Sequence, residues 1–408
     1  MTNKRKLINE VESKQKKQST TLVHSGRNKK YRQGAVNIPP YRASTVIFDS
    51  LAEFRGWDRE FRDFVYGRLG SPNSLALEEA YSELSGAYRS VATSSGMSAI
   101  NIAASAFVNH GDHVLVTEGS YEPAGLFFTN HLAPLGVEVE FFSPIIGEEM
   151  ARRIKPNTRL VFLEAPSTTT FEIHDIELLV KIVREKSFQM GTNITIVLDN
   201  TWAGPLFFKP LEHGIDVEVQ AATKYIVGHS DAMLGIVACT KESYKAVKSS
   251  ALFQGISAGP EECYLGLRGM RSMSVRMEQQ FKNAMEIADW LNGHSNVKAV
   301  LYPPAPFSRY HDLWKKTFTG GGSLMGIVLD QQYPESALSD LFDNMELFAM
   351  GYSWGGYESL LIPTKLQEYR ISDVEYYDNT LLRLHAGLED VTDLIKDLEK
   401  ALARLKSS

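Results

Sequence analysis

Cysteine is nearly absent from this chain: its 408 residues include only Cys239 and Cys263. Two thiols so far apart, in no Cys-x-x-Cys arrangement, build neither a disulfide framework nor a thiolate zinc site, which fits a reducing cytoplasm. Long apolar runs are missing too; none nears the roughly 18 residues a membrane-crossing helix needs. Charge is close to balanced, with 43 Lys and Arg against 49 Asp and Glu and a net charge of −6. No broad positive field exists to gather nucleic acid or anionic lipid, so neither nucleic acid nor a membrane is an expected partner. The N-terminus is locally basic, from Lys4-Arg5-Lys6 to Lys16-Lys17-Gln18, yet it lacks a secretory apolar segment and carries Glu10 and Glu12. It reads as a solvated extension of a cytoplasmic protein that finds a small molecule at a local site.

What is present divides into three stretches. Residues 1–70 are rich in Arg, Tyr and Gly and show little periodicity, as an arm that packs on something else would. Residues 71–270 alternate helix-length segments with short β-branched runs: His113 to Thr117, Val137 to Phe142, Arg159 to Leu163 and Ile194 to Leu198. That alternation predicts parallel strands joined by crossover helices, an α/β sheet buried on both faces, with Gly235 to Thr240 as a further strand near an edge. From 271 to 408 the pattern predicts a smaller α+β domain. Ser274 to Trp290 reads as an amphipathic helix, Gly322 to Asp330 as a strand, and Val391 to Leu405 as a helix with one apolar face.

Ligands of open α/β sheets sit beyond the carboxyl ends of the strands. The run Ile194 to Leu198 delivers Asp199 to that edge, where a buried carboxylate needs a cationic partner such as a protonated ring nitrogen. Taken alone, Asp199 reads more readily as a turn or capping residue. Twenty-five residues on, Lys224 stands in the small-residue loop Ala221-Ala222-Thr223-Lys224. A lysine desolvated there becomes a nucleophilic amine suited to Schiff-base chemistry with a carbonyl cofactor, whereas an isolated lysine is usually a surface residue. The turn Thr93 to Ile100 opens a helix whose N–H groups suit a phosphate, and it is expected to precede the first strand. His174, His213 and His229 have no metal-ligand spacing, so no metal is expected. Gly320-Gly321-Gly322 reads as a flexible turn, and Met270, Met273 and Met277 as core or interface.

Together, Asp199, Thr223-Lys224 and the Ser94 to Ile100 turn resemble the Cys/Met-metabolism family of fold-type-I pyridoxal-phosphate (PLP) enzymes, over nearly the whole chain from Thr21. The resemblance implies a mostly parallel seven-stranded sheet flanked by helices, with an N-terminal arm and a small C-terminal domain. It implies PLP on Lys224, the pyridinium on Asp199, and phosphate contacts from Gly96, Met97 and the hydroxyl of Thr223. Thr201 joins these cofactor-binding residues, and Tyr121 stacks on the ring as both a cofactor-binding and a catalytic residue. Tyr66 and Arg68, in Val65-Tyr66-Gly67-Arg68, match a motif that reaches a neighbouring subunit's phosphate, so a homotetramer of two dimers is implied. Ser353, Trp354 and Arg383 are implied substrate-binding residues, Arg383 gripping the α-carboxylate of a sulfur amino acid; its plain alternative is an ion pair with Glu389 or Asp390.

Trp354 and His385 resemble the bacterial β-lyase branch that cleaves cystathionine. Ser94-Ser95-Gly96-Met97-Ser98 reads more like the γ-synthase and γ-lyase branches, and Ala221 stands where several relatives carry Ser. The expected reaction is β-elimination. A γ-synthase, γ-lyase or desulfhydrase of the same family, and a PLP-binding regulator without turnover, are the alternatives.

Overall fold

A computed structural model describes residues 16–57, 63–372 and 378–405. The expectation for Lys4 to Lys6, Glu10 and Glu12 lies outside them. Seven strands form the large sheet: β1 Arg89–Thr93, β2 His113–Thr117, β3 Glu138–Phe142, β4 Thr158–Glu164, β5 Thr195–Asp199, β6 Val217–Gln220 and β7 Gly235–Cys239. Their spatial order is β1-β7-β6-β5-β4-β2-β3. Only β7 runs against its neighbours β1 and β6; every other pairing is parallel. The sheet is fold type I, α/β and flanked by helices.

Two strands of this sheet have no counterpart in the sequence reading. β1 and β6 are short and carry polar residues that are nevertheless buried, Ser90 and Thr93 in one and Glu218 and Gln220 in the other. In β6 the cause is a buried polar network. Tyr81 hydroxyl, Asn200 Nδ2 and Gln220 Nε2 all donate to Glu218 Oε1, at 2.7, 2.8 and 3.1 Å. The small-residue turn therefore follows the first strand of the sheet rather than preceding it.

A second sheet, wholly antiparallel in the order β10-β11-β9-β8, contains β8 Val297–Leu301, β9 Leu324–Leu329, β10 Leu360–Thr364 and β11 Leu381–His385. The helices Met273–Asn292 and Val391–Leu402 pack together beside it. Leu394, Leu398, Ala401 and Leu405 of the predicted apolar face are buried, and Val391 and Ile395 pack at its edge. The largest apolar cluster does not stop between the sheets. It runs from Leu115, Leu163 and Leu198 through Trp202 and Tyr302 to Ile327 and Leu384. One continuous core thus fixes how the two sheets face each other.

The glycine run at 320–322 belongs to that junction. A Cβ at Gly322 would lie 2.3 Å from the Trp202 carbonyl and 2.8 Å from the Tyr225 hydroxyl. These glycines make room for close packing, and the expected flexible turn is a buried one. Met270, Met273 and Met277 are buried in the core against the lysine-bearing loop.

Asp397 shows how the C-terminal helix is anchored. Its buried carboxylate accepts N–H groups from Glu346, Leu347 and Phe348 at 3.0, 2.8 and 3.1 Å. Asp397→Ala strands those donors, and urea denaturation at fixed protein concentration is expected to show a loss of about 3 kcal/mol.

Candidate active site

The carboxyl edge of β4, β5 and β6 collects the chemistry. Glu164 and Asp199 end β4 and β5 as register partners, so both side chains point to the same face of the sheet. Asp199 is buried, and its Oδ1 accepts the N–H and hydroxyl of Thr201 at 2.9 and 2.6 Å. It is a turn residue and a buried carboxylate at once, which joins the two readings its position allows. No hydrogen bond from the described residues reaches Oδ2. Burial pushes the Asp199 carboxyl upward, opposed by Thr201 and by the Lys224 charge. Beside it, burial and the Asp199 charge raise Glu164 from 4.5 to about 8. Sequence reading missed Glu164, although an acid closing an apolar strand is the same signal that exposed Asp199.

Lys224 follows β6 on the same edge, because the chain turns there and returns as antiparallel β7. Its Nζ donates to Ser353 Oγ at 2.8 Å and lies 5.3 Å from the centre of the Trp354 ring. Burial, then the Arg383 charge, lowers its ammonium from 10.5 to about 8, against the pull of Asp199. The two loops touch through backbone as well. Gly355 has φ +84°, and a Cβ there would lie 3.0 Å from Lys224 Cα, so a side chain would be both strained and crowded.

His385 locks this junction. Its Nε2 lies 3.2 Å from the Gly355 nitrogen, and its Nδ1 lies 2.9 Å from the Ser323 hydroxyl. Tyr225, next to Lys224, accepts the Ser323 N–H at 2.8 Å. Burial lowers the imidazole to about 4, so the ring stays neutral; its Nε2 also lies 3.2 Å from the Gly356 carbonyl, and the tautomer decides which of the two backbone groups it bonds. Arg383, two residues earlier on β11, donates to the Tyr352 carbonyl at 2.7 Å. It pairs with neither acid proposed for it. Glu389 accepts Ser359, and Asp390 caps the last helix.

At the far side, the helix Gly96–Ser105 begins against Ala221. A Cβ at Gly96 would lie 2.7 Å from the Ala221 methyl, so this contact tolerates little bulk on either side. Ser95 and Ser98 form a reciprocal cap, which satisfies the Ser98 N–H; the N–H groups of Gly96 and Met97 have no acceptor among the described residues. Thr201 Oγ1 accepts the Ala221 N–H at 2.8 Å, and Thr223 Oγ1 is engaged with both backbone groups of Leu234 at 2.9 and 3.1 Å. Tyr121 follows β2 and stands about half exposed, its hydroxyl raised by burial but opposed by Arg383.

Tyr66 and Arg68 are not brought into this group. Both lie in the arm, Tyr66 44% exposed, with Arg68 stacked 5.9 Å from the Tyr66 ring and donating to the Leu252 carbonyl at 3.2 Å. Among the described residues, no set of acids, histidines or cysteines could hold a metal ion and no helix is long and apolar enough to cross a membrane.

A lysine amine lowered toward neutrality, a buried carboxylate with one open oxygen, and unpaired N–H groups at a helix start suit a carbonyl, a cationic ring nitrogen and a phosphate. That donor set fits PLP. The family model of Cys/Met-metabolism PLP-dependent enzymes matches residues 19–403, and the chain belongs to that family, with PLP as its cofactor. It is 40% identical over 395 residues to the cystathionine β-lyase MetC of Escherichia coli K12, covering 96% of this chain and 99% of that one. An L-alanine/L-glutamate racemase of Wolbachia pipientis wMel is 37% identical over 401 residues, covering 95% and 98%. The crystal structure of metB from Corynebacterium glutamicum superposes with a TM-score of 0.86 at 29% identity, covering 96% and 99%.

The Glu164 carboxyl makes a signed prediction for the cofactor-free protein. Between 4.5 and about 8 it binds more protons folded than unfolded, so its contribution is complete below that window and is lost as pH rises through it. Glu164→Gln removes the titration. Thermal unfolding from pH 5 to 9 is expected to show the variant gaining on the native protein with rising pH, most of the gain falling below pH 8.

Proposed function

We propose that this chain is a cystathionine β-lyase, cleaving L-cystathionine by β-elimination to homocysteine, pyruvate and ammonia. The observation that carries the reading is the Lys224 amine, held at about 8 between the Ser353 hydroxyl and the Trp354 ring, with Arg383 close enough to depress it. A base, an aromatic wall and a carboxylate receptor thus converge where an amino acid must have its Cα proton removed.

Bound PLP supplies the electron sink for the pair left at Cα. Asp199 Oδ2 would keep its ring nitrogen protonated, Gly96 and Met97 would hold the phosphate by backbone N–H groups, and Lys224 is the attachment point. Tyr121 would supply aromatic surface for the cofactor ring, with the Thr201 and Thr223 hydroxyls completing its surroundings. Arg383 would take the substrate α-carboxylate; a guanidinium already held by the Tyr352 carbonyl has few orientations left to lose. Ser353 and Trp354 would border the same group. Once free of its attachment, the Lys224 amine takes the Cα proton, and the Cβ–S bond breaks with its electrons leaving on sulfur. The thiolate is protonated to homocysteine, and the released 2-aminoacrylate hydrolyses to pyruvate and ammonia.

Tyr66 and Arg68 lie apart from Lys224 and exposed, which supports a homo-oligomer in which each arm serves a neighbour's phosphate. Four copies as two dimers is the arrangement proposed, in the cytoplasm. The domain division proposed at 70 and 270 would assign the arm, the lysine-bearing sheet and the small sheet to separate units, the two sheets sharing one core.

The likeness to a racemase favours one second reading, in which the Cα proton is returned to the opposite face. Incubating the PLP-loaded protein with L-cystathionine and, separately, with L-alanine distinguishes the two. Pyruvate with equal homocysteine is expected. 2-Oxobutyrate with cysteine would instead indicate γ-elimination, and D-alanine without pyruvate a racemase. Lys224→Ala should lower turnover by about 10²- to 10⁴-fold and abolish the visible absorbance of the attached cofactor.

A further inference from the structure

Glu164 is a half-buried carboxyl with no part in the reaction just described, yet it belongs to a closed hydrogen-bonded ring. Its Oε2 accepts the Tyr121 N–H at 2.7 Å, and its Oε1 accepts the Thr168 hydroxyl. The Thr168 N–H in turn reaches the Gly119 carbonyl at 2.7 Å, closing the ring between the turn after β2 and the loop after β4. Gln367 Nε2 spans the same two segments, at 3.3 Å from both the Ser120 and Thr168 carbonyls. Packing is tight enough that a Cβ on Gly119 would meet Ser167 Oγ at 2.3 Å. The Tyr121 carbonyl accepts the Ala124 and Gly125 N–H groups at 2.8 and 3.2 Å, which ties it to the helix that follows, whereas its N–H ties it to β4 through Glu164. The Tyr121 side chain is 45% exposed, and Tyr121 forms the N-terminal cap of the short helix Glu122–Phe127 without a capping side-chain bond.

We infer that Glu164 is a positioning residue that sets Tyr121 against the cofactor site by gripping its backbone N–H from the adjacent strand end. The inference rests on the role given to Tyr121 above. A carboxyl suits this task because its two oxygens take donors from two different segments, which a hydroxyl or a single carbonyl could not do in this geometry. The bond to Tyr121 N–H joins β4 to the turn after β2, so the ring's height above the sheet is referred to the same edge that carries Asp199. Charged and titratable groups around Glu164 are Asp199 on β5, Tyr121 and Glu122 after β2, Tyr369 and Arg370 in the segment that covers the turn, and His174 beyond its own loop.

The test is a double-mutant cycle in the PLP-loaded protein, read by kcat/KM and by visible circular dichroism of the bound cofactor, which senses the ring's asymmetric surroundings. Glu164→Ala is expected to lower kcat/KM by about 10- to 100-fold and to change the dichroic band. Glu164→Gln, which keeps an acceptor for Tyr121, should restore both to within about threefold. In a Tyr121→Ala background, Glu164→Ala should add less than about threefold, because the group it positions is gone. A full additional loss there, or a native band and rate in Glu164→Ala alone, overturns the inference while leaving the role of Tyr121 intact. A Tyr121→Ala protein with native band and rate overturns both. If Glu164→Ala fails to fold, Thr168→Val breaks the same ring at its other oxygen and takes its place in the cycle, with the same criteria.

Discussion

A buried negative charge at the end of β5 is the constraint around which this molecule is arranged. Asp199 is buried at that strand end, beside a second carboxyl on β4. Two acids in that position are tolerable only because one keeps its proton and because cationic groups face them. Lys224 supplies part of the balancing charge, and its own ammonium is weakened by burial and by Arg383. The site is thus a set of mutually perturbed groups, none in its ordinary state, and each perturbation traces to burial against the core that joins the two sheets.

That core explains why a C-terminal arginine and a central lysine stand close together. Trp202 and Tyr302 carry the apolar cluster from one sheet to the other, and Trp202 Nε1 donates to the Leu324 carbonyl on β9 at 2.9 Å. Ser323, next in line, links Tyr225 to His385. The neutral imidazole then holds the Gly355-Gly356 backbone against the backbone of Lys224. A chain of neutral hydrogen bonds sets the distance between Lys224 and the loop that Arg383 braces, and it does so without adding a charge there.

Much of this was legible in the residues. Asp199 and Lys224 stood out because one closes an apolar strand and the other lies among small residues; both features survive in the fold for the physical reasons that made them visible. The arm residues Tyr66 and Arg68 were legible only through resemblance, since nothing in their surroundings within one chain marks them. β1 and β6 were not legible, because a strand whose polar side chains are buried in a network looks like an exposed one. Glu218 is the clearest case: the partners that make its burial tolerable, Tyr81 and Asn200, come from distant parts of the chain. The role of His385 was hidden for the same reason, as its hydrogen bonds reach across 62 and 30 positions.

The reversed direction of β7 has a consequence for how this site can vary. Where parallel strands follow one another, a helix intervenes, and the residues at two strand ends are related through a long, adjustable detour. Between β6 and β7 there is no detour: residues 221–234 leave and re-enter at the same edge, pinned by Thr223 to Leu234. The lysine is therefore a feature of an arch, anchored at both feet. The helices around it can drift, lengthen or change their outer faces without altering where its amine is presented. The wall opposite, on the loop of Ser353 and Trp354, has one foot on a different sheet. That side has room to diverge in sequence, while the Lys224 amine stays where the arch puts it.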